Sequence, residues 1–442
     1  MKSAAASLPT SIWLRRLDVL APIVAVAVFI GIGVKFLQFR TKSDWDDVYL
    51  RAATYIADQG PLYTEFELYT YPPFMAWLSI PFTMLPPVPS RLLWFAVNVF
   101  CFVGMIRLAW RWAYPAGSER GLPDAELWKR WAVFAFGLLL GGRAMTNSML
   151  HHQTDLVVGF LVFWGVDLLL RSRPYAAAIP LGLAAALKCT PLLFLAYFLW
   201  TGPRRATYLL AATAVGANLL PDLTHPSPTG GWFASWLYNI LFNTLEPNKY
   251  PGQWNVDVMT NQSLAGSVYA WIISTWTWES GGLRLDWRRP PFTSPKIAKL
   301  VVYGIGPCLM LMSFLRMRLA FWKSKSASTP NVLDACMILC LMLLLSPMSH
   351  KTHFGLLLAP GFALGRLWME QRSRMLTAVL GVVLFLQIIS LRAINVPLAS
   401  LASWSGAQML TTFGLLAGCW IAYSQAREVE VRTEPTSRRR AA

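Results

Sequence analysis

The sequence predicts an all-α, polytopic membrane protein, and three observations carry that expectation. Of its 442 residues 55% are hydrophobic and 14% charged, with 21 Trp and 24 Phe, more apolar surface than a soluble chain of this length can bury. Many separate apolar runs of about 16–22 residues fit helices that cross the hydrocarbon, a distance that takes roughly 20 residues. Lys and Arg recur between alternate runs, the pattern of short loops retained in the cytoplasm. The formal charge of +17 is therefore a topology signal, and no nucleic-acid partner is expected. Cys101, Cys189, Cys308, Cys336, Cys340 and Cys419 lie mostly inside apolar runs without metal-ligand spacing, as small core residues and not disulfides.

The elements follow in order. Val19–Phe39, with Lys2, Arg15 and Arg16 before it and no small-residue cleavage site directly behind it, reads as a retained first span leaving the cytoplasm. Residues 40–91 form a first outer loop. Within it Val48, Ala52 and Ile56, and likewise Tyr49 and Ala53, fall on i, i+4 rows, which predicts an amphipathic helix lying in the interface. Pro72 restricts Tyr71 to extended backbone, and the helix from Pro72-Pro73 to Pro86-Pro87 is too short to span, so it is interfacial or re-entrant. Leu92–Trp110 returns to a basic segment with Arg107, Arg111, Arg120, Lys129 and Arg130. Trp131–Leu150 leads out to "HHQTD" and 156–170 back to "RSRP"; 175–188 leads out to "KCTP" and 192–201 back to "GPRR". Residues 206–220 lead to a long outer loop, 222–295, and 297–315 return to "RMRLAFWKSK". Residues 332–346 lead out to "SPMSHKTH", 354–369 return to "EQRSR", and 375–391 with 405–424 form the last pair. About twelve spans result, with both ends cytoplasmic. Residues 1–426 then make a single membrane domain and 427–442 a disordered basic cytoplasmic tail.

This topology places the unusual polar clusters on one, extracytoplasmic face: Asp44, Asp46 and Asp47; His151, His152, Gln153 and Asp155; Lys188; Asn261, Gln262 and Ser263; His350, Lys351 and His353. Carboxylates in the first turn of a helix are favoured by its positive end, which accounts for one or two of the three clustered acids and leaves one for acid–base work. Lys188 and Arg143 stand against the positive-inside rule, and a phosphate partner explains such a charge. His350 and His353 have a spacing that zinc can use, but no third ligand sits near them, and hydrogen bonding to a polar ligand or phosphate is the favoured reading. Asn261 and Ser263 also suit a helix cap.

Taken together, the pieces "DW…VY…AA", "GPLY", "YPPF", "HQTD", "LKCTP", "NQSL" and "SPMSHKTH" resemble glycosyltransferase family 87, a group of integral-membrane mannosyltransferases, over roughly residues 40–360. "HQTD" stands for the family's Gly-Gln-x-Asn, with His152 for Gly and Asp155 for Asn, and "SPMSHKTH" for its Ser-Pro-x-Ser-Trp-x-His-His, where only His353 matches the His pair. The resemblance implies a GT-C fold with its active site at the extracytoplasmic face of the plasma (inner) membrane. It implies a polyprenyl-phosphate sugar donor, a glycolipid or glycan acceptor, membrane lipids as surroundings, inversion at the anomeric carbon, and neither a nucleotide nor an obligatory metal or other cofactor. A carboxylate in the first outer loop would be the general base. Family spacing favours Asp44, with Asp46 and Asp47 as alternatives. Arg143, Lys188 and Lys351 would meet the donor phosphate, and Tyr71, Gln153, Asn261, Gln262, His350 and His353 the substrates. The rival class, a transporter or flippase of lipid-linked saccharides, calls for ionisable residues near mid-membrane in two related halves, whereas here they crowd one face and no repeat is seen.

Overall fold

A computed structural model describes residues 10–38, 43–115, 124–228, 230–253, 258–279, 282–286, 293–317 and 329–433. Lys2, Arg120, loop residues 318–328 and tail residues 434–442 lie outside the described residues. The chain is helical almost throughout, and the expected apolar runs are helices: Thr10–Gln38, Pro87–Ala113, Asp155–Leu170, Pro174–Leu187, Arg204–Thr224, Pro295–Arg316, Thr329–Leu345, Leu358–Gln371, Arg374–Ile389 and Ala407–Thr433. Three described helices, Pro87–Ala113, Glu126–Leu150 and Pro295–Arg316, are long and apolar enough to cross a membrane. Others, such as Pro174–Leu187, Thr190–Thr201 and Thr329–Leu345, are apolar but shorter than the roughly 20 residues of a full crossing. Proline sets some of these limits: Pro191 has no N–H to offer Leu187, where the preceding helix ends.

Packing builds two groups around a shared core. Pro174–Leu187 lies between Asp155–Leu170 and Arg204–Thr224, and Ala407–Thr433 between Thr329–Leu345 and Arg374–Ile389. Leu358–Gln371 links them, packing on Ala407–Thr433 of the second group and on Pro87–Ala113, which in turn packs on Asp155–Leu170 of the first; it also packs closely on Asp124–Gly137. That last approach is close because Gly137 and Gly141 carry no side chain. A β-carbon on Gly141 would stand 2.7 Å from the Leu358 backbone nitrogen, and one on Gly137 would overlap the Phe362 ring.

Helix Pro87–Ala113 shows how the chemistry divides between the two ends of the bundle. Near its start Arg91 pairs with Asp46 (2.8 Å). Twenty residues on, or about 30 Å at the α-helical rise, Arg111 pairs with Asp167 (2.5 Å), which also binds Arg171 (2.9 Å) and accepts from Trp112 (3.2 Å). The first end is where the loops expected outside converge.

Three features depart from the expected all-α layout. Thr275–Glu279 and Gly282–Asp286 pair as an antiparallel two-stranded sheet, Thr275 opposite Asp286, inside the long loop 222–295. Their alternation, "TWTWE" and "GLRLD", has the period of a strand. Between the last two expected spans lies a further helix, Val396–Trp404, started by Asn395, whose side chain accepts from Leu398 N (2.9 Å). The final helix continues to Thr433, so residues 427–433 of the expected tail are helical. Among the cysteines, Cys308 is exposed, Cys189 is half-buried, and Cys101, Cys336, Cys340 and Cys419 are buried and free.

Candidate active site

The interfacial segment is a π-helical stretch, Trp45–Leu50, running into helix Arg51–Ala57, with Trp45, Tyr49, Ala52, Ala53 and Ile56 buried. Trp45 anchors it by stacking on Trp94 (4.2 Å between centroids) and donating to Ser90 Oγ (3.1 Å). Trp94 in turn donates to His152 O (3.1 Å), and Ser43 Oγ hydrogen-bonds His152 Nδ1, which ties "HHQTD" to the same corner. Tyr71 is fixed by the turn before helix Pro73–Thr83: Tyr63 donates to Tyr71 O (3.0 Å), and Tyr69 Oη receives the Ala76 N–H (2.9 Å). Lys188 is the extended residue that ends helix Pro174–Leu187. His350 starts the short 3-10 helix Lys351–Leu357.

These elements enclose a cavity of about 700 Å³. Asp44, Tyr49, Tyr71, Gln153, Lys188, His350 and His353 form its polar end, Glu67, Thr70, Thr190, Thr260 and Ser346 add further polar groups, and Val48, Leu193, Trp236, Ile240, Leu241, Met342, Leu345 and Met348 supply the apolar wall. A continuous set of contacts crosses the polar end. Gln153 Nε2 donates to Asp44 Oδ2 (2.8 Å). Thr352 Oγ1 lies 2.6 Å from Gln153 Oε1 and 2.5 Å from Asp155 Oδ2. Lys188 Nζ donates to Asp155 Oδ1 (2.6 Å) and to His353 Nε2, and stands 5.3 Å from the centre of the Tyr71 ring.

Burial pushes the Asp44 carboxyl above its ordinary pKa, and the charges of Asp155 and Asp47 add to this against the Gln153 hydrogen bond and His151. Burial acts the same way on Asp155, but the charge and hydrogen bond of Lys188 outweigh it and hold that carboxyl well below the usual range. Lys188 is the partner that counts. Burial lowers His353 to about 3 and His350 to about 4, so both imidazoles are neutral, and the 3.4 Å approach of His353 Nε2 to Asp155 is not an ion pair. Burial raises the Tyr49 and Tyr71 phenols, which stay protonated.

Six of the twelve expected site residues thus meet in one place: Asp44, Tyr71, Gln153, Lys188, His350 and His353. The other six do not line the cavity and bond elsewhere in the protein. Asp46 is held by Arg91, whose side chain is 6% exposed, and Asp47 Oδ2 accepts from Ser43 N (3.2 Å) at the helix start. Arg143 donates to Ser390 O (3.0 Å) at the end of helix Arg374–Ile389, and Lys351 donates to Ser403 Oγ (3.2 Å). Asn261 donates to Gly252 O (3.2 Å) and Pro347 O (3.1 Å) and accepts from Ser349 N (3.0 Å), stapling the end of the long loop to "SPMSH". Gln262 donates to Met259 O (3.0 Å) and Ser403 O (2.8 Å).

Asp155 and Thr352 were not among the expected site residues. A signal for Asp155 was present: a lysine expected on the side the positive-inside rule disfavours needs a counter-ion, and Asp155 is an acid expected on the same face and pairs with it. Thr352 had none, because its importance lies in what surrounds its hydroxyl. The φ of 59° at His152 is left-handed, a backbone that the Gly of the resembled motif adopts without cost. His152→Gly relieves that backbone but removes an imidazole that is 1% exposed and hydrogen-bonded to Ser43 Oγ, and is expected to lower the unfolding temperature in detergent. His152→Val loses the same hydrogen bond and adds about 1–2 kcal/mol of backbone strain.

A curated protein of Mycolicibacterium smegmatis (strain ATCC 700084 / mc(2)155), named polyprenol-phosphate-mannose-dependent alpha-(1-2)-phosphatidylinositol mannoside mannosyltransferase, is 26% identical over 236 residues. That alignment covers 50% of this chain and 51% of the relative, so the chain spans about half the length of the curated relative it matches. Residues 69–347, which contain most of the cavity-lining positions and well over half of the chain, match the profile of glycosyltransferase family 87, and the chain belongs to that family.

Proposed function

We propose that the protein is an inverting membrane glycosyltransferase that moves a hexose, mannose, from a polyprenyl-phosphate donor to a lipid-linked or glycan acceptor at the outer face of the plasma membrane. The observation that carries this reading is a single cavity lined both by a carboxylate raised by burial, Asp44, with a cation, Lys188, and by a large apolar surface. The apolar wall suits a polyprenyl chain, and the polar end suits a sugar and its phosphate.

Asp44 takes the proton of the acceptor hydroxyl as its oxygen attacks the anomeric carbon from the side opposite the phosphate. The bond between that carbon and the phosphate oxygen breaks, its electron pair leaving with the polyprenyl phosphate, and the single displacement inverts the centre. Lys188 has three N–H donors; Asp155 and His353 occupy two, and the third serves the departing phosphate. Of the three cations expected at the phosphate, Lys188 takes that role because it alone lines the cavity.

The test is transfer by the purified full-length protein, reconstituted in lipid, from radiolabelled polyprenyl-phosphate-mannose to membrane lipid acceptors. Label is expected in a new glycolipid and polyprenyl phosphate is expected as the co-product. Absence of both overturns the reading.

A further inference from the structure

We propose that Thr352 is a positioning residue whose hydroxyl lets the Gln153 amide turn end for end as Asp44 passes from carboxylate to carboxylic acid. This deepens the reading above and rests on Asp44 being the base. Thr352 is 2% exposed, and its Oγ1 lies 2.6 Å from Gln153 Oε1, 2.5 Å from Asp155 Oδ2 and 3.1 Å from His350 Nδ1. A hydroxyl has one proton, and two oxygens compete for it at short range. His350 does not relieve the shortage. With hydrogen on Nδ1 it donates to Thr352, and with hydrogen on Nε2 it becomes a third acceptor.

The contest has two resolutions, and each matches one state of Asp44. While Asp44 is ionised it takes the Gln153 N–H at 2.8 Å. The amide oxygen then faces Thr352 and receives its proton, which leaves Asp155 Oδ2 against an oxygen that gives it nothing. Once Asp44 has taken the acceptor's proton, it has become a donor. Turning the Gln153 amide over lets Oε1 accept from Asp44, Nε2 donate to Thr352, and Thr352 donate to Asp155. Asp155 Oδ2, left without a donor in the first state, now has one, and each contact along the chain pairs a donor with an acceptor, which a buried network strongly favours. No proton passes between these side chains: the Asp44 carboxyl turns to present its new O–H to Gln153, one amide turns over and one hydroxyl rotates. Lys188 stays on Asp155 Oδ1, so that charge is compensated in both states.

The chain therefore supports the protonated base more than an amide acting alone would. Among the described residues, the other charged or titratable groups around Asp44 are Asp47 on its own helix and His151, Asp155 and Tyr71 from the facing segments, with Lys188 and His353 around Asp155. Substituting Thr352 leaves all of these in place.

The experiment compares full-length wild type, Thr352→Val, Thr352→Ala and Thr352→Ser in the transfer assay, reading kcat and donor KM from about pH 4 to 8. Thr352→Val and Thr352→Ala are expected to lower kcat about tenfold with donor KM changed less than about threefold. Their acid limb moves to lower pH, because protonated Asp44 has lost the reversed chain, and Thr352→Ser restores it. An acid limb superposable on wild type in a folded Val or Ala variant, or a Ser variant that restores nothing, overturns the inference alone. A wild type without transfer, or an active Asp44→Asn, overturns the functional reading and this inference with it.

Discussion

Asp44→Asn is expected to lower the transfer rate by about 10²–10⁴-fold, the usual contribution of a positioned general base. Asn keeps the shape of Asp and can still accept from Gln153, so what it loses is the ability to take a proton. The neighbouring acids supply the control. Asp46→Asn weakens a pair whose arginine is buried and is expected to reduce stability by about 1–3 kcal/mol while transfer persists. Asp47→Asn, which touches only a backbone N–H at the helix start, is expected to be close to silent in both readouts. Asp44 also makes a pH prediction. Its folded-state pKa is raised by burial, so rate is lost, as pH falls, at a pH above the ordinary carboxylate value of about 3.9. The same shift fixes the sign for stability. A group raised in the folded state contributes stability below its unfolded pKa and loses it as pH rises through the folded one. Ionised Asp44 therefore weakens the fold at neutral pH, and Asp44→Asn should unfold at or above the wild-type temperature. A dead variant with a lowered unfolding temperature would instead mean that the substitution acts through the fold.

Much of this site was legible in the chain because it depends on local rules. Apolar runs and basic loops sort the helices, the Tyr71-Pro72-Pro73 turn follows from proline's limits on its neighbour, and the clustered acids stand out against a basic, apolar background. That Asp44 and not Asp46 or Asp47 lines the cavity needed three dimensions: Arg91 lies 45 positions from Asp46 and pairs with it, while Asp44, just before the π-helical stretch, and Val48 and Tyr49 within it reach the cavity. Asn261, Gln262, Arg143 and Lys351 share a different difficulty. A polar side chain in a loop expected outside looks the same in sequence whether it meets a substrate or another part of the protein, and these four hydrogen-bond the protein itself. The apolar wall was hidden differently. Trp236, Ile240 and Leu241 come from the long loop 222–295, where helix Trp232–Trp236 and the π-helical turn after it are too short to show a period.

Lys188→Met is expected to destabilise the protein by about 3–5 kcal/mol and to abolish transfer, because it leaves a buried carboxylate without its partner. Asp155 has a side chain 6% exposed and Lys188 one 15% exposed, so solvent does little to replace the lost ammonium. The pH dependence separates this cause from a simple packing loss. In the wild type Asp155 is held below its unfolded pKa, so the pair contributes stability above the unfolded value, and that contribution is lost as pH falls through the folded one. Without Lys188 burial dominates and the folded pKa rises, so the carboxylate can be relieved by a proton. The stability deficit of Lys188→Met should therefore be largest at neutral pH and shrink on acidification, whereas a packing defect would be constant. The double variant Lys188→Met with Asp155→Asn removes both charges and should recover most of the lost stability. It should not recover transfer, since the departing phosphate would still lack its cation. Recovery of transfer in the double variant would show that Lys188 only neutralises Asp155, and the role beside the donor phosphate would have to be given up.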